Sequence, residues 1–287
     1  MRFERKDILD IHSLSPEEIT MILDTAQGMR EISERPVKKV PTLRGKTIVL
    51  FFQEPSTRTK LSFDTAAKRL SADSISISKS SSSIVKGETL IDTAKNLEAM
   101  RPDVIVLRHP SSGAPHLIAK RVNASVINAG DGIHAHPSQA LLDMLSVREK
   151  KGRIKGLNIA IIGDIAHSRV ARSDIIGFSK MGASVSVCAP GTMIPPGIEP
   201  LGCSVKPSIE SCIDGADVIM MLRIQKERQG NSLFPTEREY ATLFGLNRTR
   251  LALAKEDVLV MHPGPMNRGI EIASDVADSS ASIILEQ

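Results

Sequence analysis

The stretch FFQEPSTRTK, residues 51–60, decides how this chain is read: an apolar run halts at a proline and gives way to two hydroxyls, an arginine, a third hydroxyl and a lysine. The ten residues that follow, LSFDTAAKRL, place Leu61, Ala66, Ala67 and Leu70 near a helical period, so a strand turns into a helix at residues 56–60. Cations are out of place there. A helix N-terminus carries partial positive charge and unpaired N–H groups, so Arg58 and Lys60 oppose the dipole unless an anion sits on it. The plain alternative is an N-cap by Ser56 or Thr57 with solvated basic residues beyond it. Local sequence leaves both readings open.

Working outward, the same strand-then-helix rhythm recurs. SPEE at 15–18 is a capping box that starts a helix over 16–30. Strands are predicted in KTIVLFF, DSISIS, DVIVLRHP and SVINAG, with helices over 89–100 and 116–121 between them. A serine-rich loop, KSSSSIVKGE, follows the second strand. HPSQALLDMLSVREKKG reads as a helix with Leu141, Leu142 and Leu145 on one face and Gly152 ending it. A fresh alternation then begins at Leu157: strand NIAIIGD, a helix from Arg169, and strands ASVSVCAP, DVIMMLR, DVLVMHP and ASIILEQ. The pattern predicts an α/β protein of two doubly wound parallel-sheet domains, residues 1–147 and 148–287, with the active site in the crevice between them.

The chain's 287 residues suit two domains of ordinary size, and 41% hydrophobic with 24% charged residues is a globular balance. A net charge of +4 without a Lys/Arg block gives no footprint for a duplex, and with no Trp and one Tyr there is little from which to build a base-stacking platform. Cys188, Cys203 and Cys212 show neither CxxC nor Cys/His metal spacing. The N-terminus has no apolar core of a signal peptide, and no apolar run reaches membrane-spanning length, so the expected location is cytoplasmic, away from membranes.

Each predicted parallel strand ends in a chemically loaded tail: STRT after the first, Arg108-His109-Pro110 after the third, His134 and His136 after the fourth, then GDIAHSR, LRIQKER and MHPGPMNR. Taken singly, each polar residue has a structural explanation. Taken together they lie on the edge where open α/β sheets bind ligands. That edge has no paired carboxylates at catalytic spacing, no GxSxG and no metal-ligand cluster in its sequence, and GDIAHSRVA is not a GxGxxG turn. Arginines, hydroxyls, a histidine and a glutamine remain, groups that grip phosphate or carboxylate and polarise a carbonyl. The chemistry implied is a transfer between two bound substrates.

FFQEPSTRTKLSF, the loop ending KGE, LRHP, HPSQALLD, GDIAHSR, LRIQKER and HPGPMNRGIEI resemble, in this order and over nearly the whole chain, the carbamoyltransferase family. STRT followed by HPxQ is common to the family, whereas RIQKER and HPGP resemble its aspartate-type bacterial catalytic chains; the ornithine type has HCLP in the last position. The resemblance implies carbamoyl phosphate plus L-aspartate giving N-carbamoyl-L-aspartate and phosphate, the committed step of pyrimidine synthesis, with no cofactor. It implies that Ser56, Thr57, Arg58 and Thr59 grip the phosphate and that Arg108, Thr59 and His136 polarise the carbamoyl oxygen. Gln139 would hold the carbamoyl amide with backbone carbonyls around Gly264 and Pro265, and Arg169 and Arg223, with Gln225, would clamp the aspartate carboxylates. Ser82 and Lys86 would reach a neighbouring subunit's site, which implies a homotrimer with shared sites. The bacterial family includes enzymes that associate with dihydroorotase and others that bind a regulatory chain. Its pattern continues past the position of Gln287 through a C-terminal helix. A different amine acceptor, an inactive scaffold or a nucleotide-binding module are the rival readings. The first should alter RIQKER and HPGP, the second should lose site residues, and the third should carry the glycine fingerprint.

Overall fold

The computed structural model describes residues 3–78, 87–225 and 236–287. Ser82 and Lys86, with most of the serine-rich loop, lie outside them. The chain divides into two compact units, residues 1–138 and 139–287.

The first unit opens with helix α1 (Pro16–Glu34), started as its sequence requires: Ser15 Oγ accepts from Glu18 N at 3.2 Å, and the Glu18 carboxylate accepts from Ser15 N at 2.8 Å. Then follow β1 (Thr47–Phe52), α2 (Thr57–Arg69), β2 (Asp73–Ser78), α3 (Leu90–Ala99), β3 (Val104–His109), α4 (Ala114–Ala119) and β4 (Ser125–Asp131). The four strands pair in parallel in the order β2-β1-β3-β4. Alternate residues of β1 point to opposite faces. Val49 and Phe51 pack with Leu97 of α3 and Ile118 of α4, while Ile48, Leu50 and Phe52 pack with Ala67 of α2. A parallel sheet covered on both faces accounts for the unbroken apolar run of β1.

Helix α5 (Pro137–Lys151) crosses the division between the units. Its buried positions are Pro137, Ala140, Asp143, Met144 and Val147, whereas Leu142 is exposed and Leu141 and Leu145 are half-buried. The leucine stripe expected from sequence is therefore not the core face. Ala140, Met144 and Val147 have an i, i+4, i+7 spacing of their own, and the helix is rotated so that they are inside.

The second unit continues with β5 (Asn158–Ile162), α6 (Arg169–Lys180), β6 (Ser184–Cys188), β7 (Cys203–Val205), α7 (Ile209–Ile213), β8 (Val218–Met221), α8 (Glu237–Phe244), α9 (Arg248–Leu251), β9 (Leu259–Met261) and α10 (Ser274–Ala277). Its sheet is parallel in the order β7-β6-β5-β8-β9. One face packs Ala160, Ile162, Ile219, Met221 and Val260 against Ile209, Ile213 and Val276. The predicted strand in ASIILEQ is a single bridge, Val260 to Ser282. After Ile283 N donates to Val260 O at 3.0 Å, the chain turns, with Glu286 N and Gln287 N both bonding to Ile283 O. Strand β7, which the sequence reading did not anticipate, has only three residues.

In both sheets the chain leaves one strand to one side and returns on the other. The reversal falls between β1 and β3 in the first unit and between β5 and β8 in the second. Such switch points open a crevice at the strands' carboxyl ends. Gly163, at the end of β5, shows how tight that junction is: it has φ +132°, and a Cβ there would sit 2.4 Å from Leu222 O at the end of β8. Among the described residues, no helix is long and apolar enough to cross a membrane.

Candidate active site

The first switch point is furnished by the tails of β1 and β3. Ser56 occupies the N-cap position of α2, yet its side chain makes no capping hydrogen bond. In α1, α3, α6, α7, α8 and α9 the corresponding Ser, Thr or Asn does cap. The simple capping explanation for Ser56 is thus not met. The first turn of α2 carries Thr57, Arg58 and Thr59 and no acidic residue, so its N–H groups and dipole favour an anion.

Arg108, at the end of β3, reaches this turn. Its Nη1 donates to Ala129 O at 3.2 Å and to Thr59 Oγ1 at 3.4 Å, and lies 3.5 Å from His136 Nε2. Its Nε lies 3.4 Å from the Glu54 carboxylate. His136 is buried, and its Nδ1 is 3.3 Å from Ser138 Oγ. An arginine only donates, so the contact at 3.5 Å requires His136 Nε2 to be the acceptor there and leaves Nδ1 to bond Ser138. The contacts of Nη1 with Thr59 and His136 are long for hydrogen bonds. A hydroxyl, a guanidinium and an imidazole thus meet beside a helix N-terminus, an arrangement that can hold a phosphate and polarise an adjoining carbonyl.

The second switch point is tied together by Asp164, fully buried after β5. Its carboxylate accepts from His167 N and Nδ1 at 3.2 and 2.8 Å and from Gln225 N at 3.2 Å. One side chain therefore fixes the tail that carries Arg169 relative to the tail that carries Arg223 and Gln225. Arg169 begins α6 and is 3% exposed; Arg223 and Gln225 are half-buried. Buried guanidinium at a helix N-terminus is suited to a carboxylate ligand, because the fork and the helix N–H groups then share the anion.

The HPGP turn is held from below. His262 Nδ1 accepts from Gly264 N at 2.8 Å, which makes Nε2 the protonated nitrogen, and Nε2 donates to Glu271 Oε1 at 3.1 Å. Glu271 Oε1 also accepts from Asn267 N at 2.5 Å. Both side chains are buried, and Gly264 takes φ +58°. Gly264 and Pro265 stand in the turn that this support holds.

Gln139, in the first turn of α5, donates from Nε2 to Asp143 Oδ1 at 3.0 Å, and Gln287 Nε2 donates to the same oxygen at 2.6 Å. Asp143 and Asp174 are both fully buried. Burial raises both carboxyls, Asp143 to about 7, and the charge of Asp143 raises Asp174 further.

The structure thus brings Thr59, Arg108 and His136 together in the first unit and places Arg169, Arg223 and Gln225 on the switch point of the second. Glu54, Asp164, Glu271 and Asp143 were missed from sequence. Asp164 could have been suspected from its place inside GDIAHSR, and Asp143 from its i+4 spacing to Gln139. Another grouping invisible in sequence is His116, Asp131 and His134, whose potential ligand atoms lie within 4.8 Å of one another. Asp131 is already occupied by Gly113 N at 2.6 Å, Asn128 Nδ2 at 2.8 Å and Ala135 N at 3.1 Å, which makes it the tie of the loop after β4. Burial pushes the Cys188 and Cys203 thiols up to about 11 and Cys212 higher, which disfavours the thiolate.

Residues 6–149 match the aspartate/ornithine carbamoyltransferase, carbamoyl-P binding domain, and residues 155–287 match the Asp/Orn binding domain of the same family. The chain is 78% identical over 287 residues to the aspartate carbamoyltransferase catalytic subunit of Desulforapulum autotrophicum, covering all of this chain and 92% of the relative. It superposes with TM-score 0.88 on aspartate transcarbamoylase from Trypanosoma cruzi in complex with N-(phosphonacetyl)-L-aspartic acid, at 29% identity over 98% of this chain and 90% of the other. It matches ornithine carbamoyltransferase from Pyrococcus furiosus with TM-score 0.87 at 31% identity, covering 98% and 91%.

Proposed function

Because the chain belongs to the aspartate/ornithine carbamoyltransferase family, we propose that it transfers the carbamoyl group of carbamoyl phosphate to the amine of L-aspartate. The observation that carries the chemistry is the meeting of Thr59 and His136 on Arg108 Nη1 beside the uncapped start of α2. The choice of acceptor rests on the relative at 78% identity, an aspartate carbamoyltransferase catalytic subunit, and on the RIQ and HPGP segments.

In this reading the first unit takes carbamoyl phosphate. Ser56, Thr57, Arg58 and Thr59 bind the phosphate at the α2 N-terminus, and Arg108, Thr59 and His136 bond the carbamoyl oxygen. Gln139, with the carbonyls of the turn at Gly264 and Pro265, holds the carbamoyl NH2. The second unit takes aspartate through Arg169, Arg223 and Gln225. The deprotonated amine attacks the carbamoyl carbon and a tetrahedral oxyanion forms, stabilised by the Arg108 group. The carbon–oxygen bond to phosphate then breaks, and the leaving phosphate takes the amine proton. No side-chain nucleophile is required, and the rate comes from positioning and charge stabilisation. Ser82 and Lys86 act across a subunit boundary in a homotrimer, so that every site is completed by a neighbour.

The test is product formation from carbamoyl phosphate with L-aspartate or L-ornithine as acceptor, in the parent and in Arg58→Ala. Carbamoyl aspartate is expected from the parent. Loss of two charge-assisted bonds in the variant weakens phosphate capture by at least roughly tenfold to a hundredfold. Product from ornithine alone would overturn the acceptor assignment, and undiminished carbamoyl phosphate binding in Arg58→Ala would overturn the phosphate site.

A further inference from the structure

The second unit contains a run of hydrogen bonds whose direction is fixed from one end. His262 N is a backbone N–H and can only donate, and it donates to Gln287 Oε1 at 2.9 Å. That fixes the carboxamide of Gln287 with its NH2 toward Asp143, where Nε2 meets Oδ1 at 2.6 Å. Asp143 Oδ1 is therefore an acceptor. The Gln139 atom 3.0 Å from it must be the other donor, Nε2, and Gln139 Oε1 is left facing away from Asp143. Gln139 Oε1 has no hydrogen-bond partner among the described residues.

The relay also needs the Asp143 proton, if there is one, to be elsewhere than on Oδ1. Asp143 Oδ2 and both oxygens of Asp174 are buried and, as carboxylates, have no hydrogen-bond partner. Two acceptor-only groups cannot satisfy each other. One proton between them can, with the Asp174 carboxyl donating to Asp143 Oδ2, and burial without a cationic hydrogen-bond partner favours keeping that proton. The ordinary explanation of the Gln139–Asp143 contact is a helix-surface pair at i, i+4. A surface pair has no reason to have its carboxylate fully buried, to share its oxygen with Gln287, or to adjoin a second buried carboxyl.

We propose that Asp143 and Asp174 share one proton and form a positioning pair that locks the Gln139 carboxamide with Oε1 as its free acceptor, selecting an acyl phosphate that bears an NH2. This rests on the reading above that Gln139 holds the carbamoyl amide. A flipped carboxamide would oppose NH2 to NH2 and lose the bond. The lock thus discriminates a carbamoyl from an acetyl group, which has a methyl in that place.

The experiment compares, in the assembled full-chain enzyme, the affinity for carbamoyl phosphate with that for acetyl phosphate as a competitor. Gln139→Leu should weaken carbamoyl phosphate about tenfold and leave acetyl phosphate unchanged. Asp143→Leu should move the same ratio in the same direction, and the double variant should be no worse than either single one. Asp174→Asn should keep the parent's ratio, because its NH2 donates where the shared proton did. If Asp143→Leu does not fold, Gln287→Leu, which breaks the relay one step earlier, should shift the ratio in the same direction by a smaller factor. Equal weakening of both ligands in Asp143→Leu or Gln287→Leu, or loss of the ratio in Asp174→Asn, overturns the positioning pair. An unchanged ratio in Gln139→Leu overturns instead the role of Gln139 itself.

Discussion

Replacing Glu271 by Ala should unfasten the HPGP turn, and the cost can be worked from its bonds. Glu271 Oε1 takes the proton of His262 Nε2 at 3.1 Å and that of Asn267 N at 2.5 Å. Both donors lose their acceptor in the variant, and each buried group left unsatisfied costs about 1–3 kcal/mol. The variant gains something back, because Glu271 Oε2 is itself buried without a partner and its desolvation disappears. The net loss is then about 2–4 kcal/mol, set against a total stability of about 5–15 kcal/mol for an ordinary domain. Glu271→Gln should recover most of it, since its Oε1 can accept both bonds. Equilibrium urea unfolding at fixed protein concentration measures the effect: the midpoint falls for Glu271→Ala with an unchanged slope and stays near the parent for Glu271→Gln. The turn should loosen with it, so Glu271→Ala also binds carbamoyl phosphate more weakly at temperatures where it remains folded. A midpoint unmoved by Ala, or lowered equally by Gln, would refute the reasoning that these two donors depend on this carboxylate.

Arg223→Ala should raise the aspartate requirement about tenfold or more while leaving carbamoyl phosphate binding alone, and steady-state titration of each substrate separates the two. Arg58→Ala and Lys86→Ala, each inactive, should regain part of the activity when unfolded together and reassembled, because some hybrid interfaces join an intact Arg58 to an intact Lys86; well-formed hybrids that stay inactive would place Lys86 outside its neighbour's site. At Asp131, burial acts to raise the carboxyl, but donation from His134, Asn128 and Gly113 outweighs it and holds the carboxyl below its usual range. Its stabilising effect is therefore present above the usual carboxylate range and fades as pH falls through the lowered value. Asp131→Asn should lose about 1–3 kcal/mol at neutral pH and lose less of its remaining stability on acidification, as acid unfolding curves of the two proteins will show.

The strands of this fold were legible wherever both faces of a parallel sheet are covered, because KTIVLFF and NIAIIGD are apolar without alternation and bounded by polar tails. ASIILEQ has similar composition, yet it forms one bridge and then a turn, since Gln287 is drawn to His262 N and Asp143. A local pattern cannot see that competition. Helix α5 was legible as a helix and illegible as to its face, because Ala140, Met144 and Val147, at i, i+4 and i+7, compete with the leucines for the inner side. Within the candidate site, the cations and hydroxyls were legible because they stand out against an apolar strand and a helix start. Their supports were not. Glu271, Asp143 and Asp174 act through partners distant in sequence or through burial, and neither is written in the spacing of residue types.

The amino ends of the same sheets are furnished differently from the tails. At the amino end of β3, Asp103 accepts from Thr47 N, the first residue of β1, at 2.9 Å, and from Lys46 at 2.7 Å. At the amino end of β8, Asp217 accepts from Asn158 N, the first residue of β5, at 2.8 Å, and from Lys255 at 2.7 Å. In each unit, then, one carboxylate closes the strand pair at the switch point, satisfies a strand N–H and meets a lysine. These groups are complete within the protein. At the carboxyl ends of the same strand pairs the charge changes sign: Arg58 and Arg108 in one unit and Arg169 and Arg223 in the other, with Arg58 and Arg169 in the first turns of α2 and α6, where the dipole already favours anions. Glu54 and Asp164 lie there too, yet Glu54 meets Arg108 Nε only at 3.4 Å, and Asp164 holds His167 and Gln225. Arg58 and Arg169 stand in first turns whose dipole favours an anion over a further cation. Under the function proposed above, a dianionic phosphate would sit at the first of these turns and a dicarboxylate at the second, opposite the ends that Asp103 and Asp217 close.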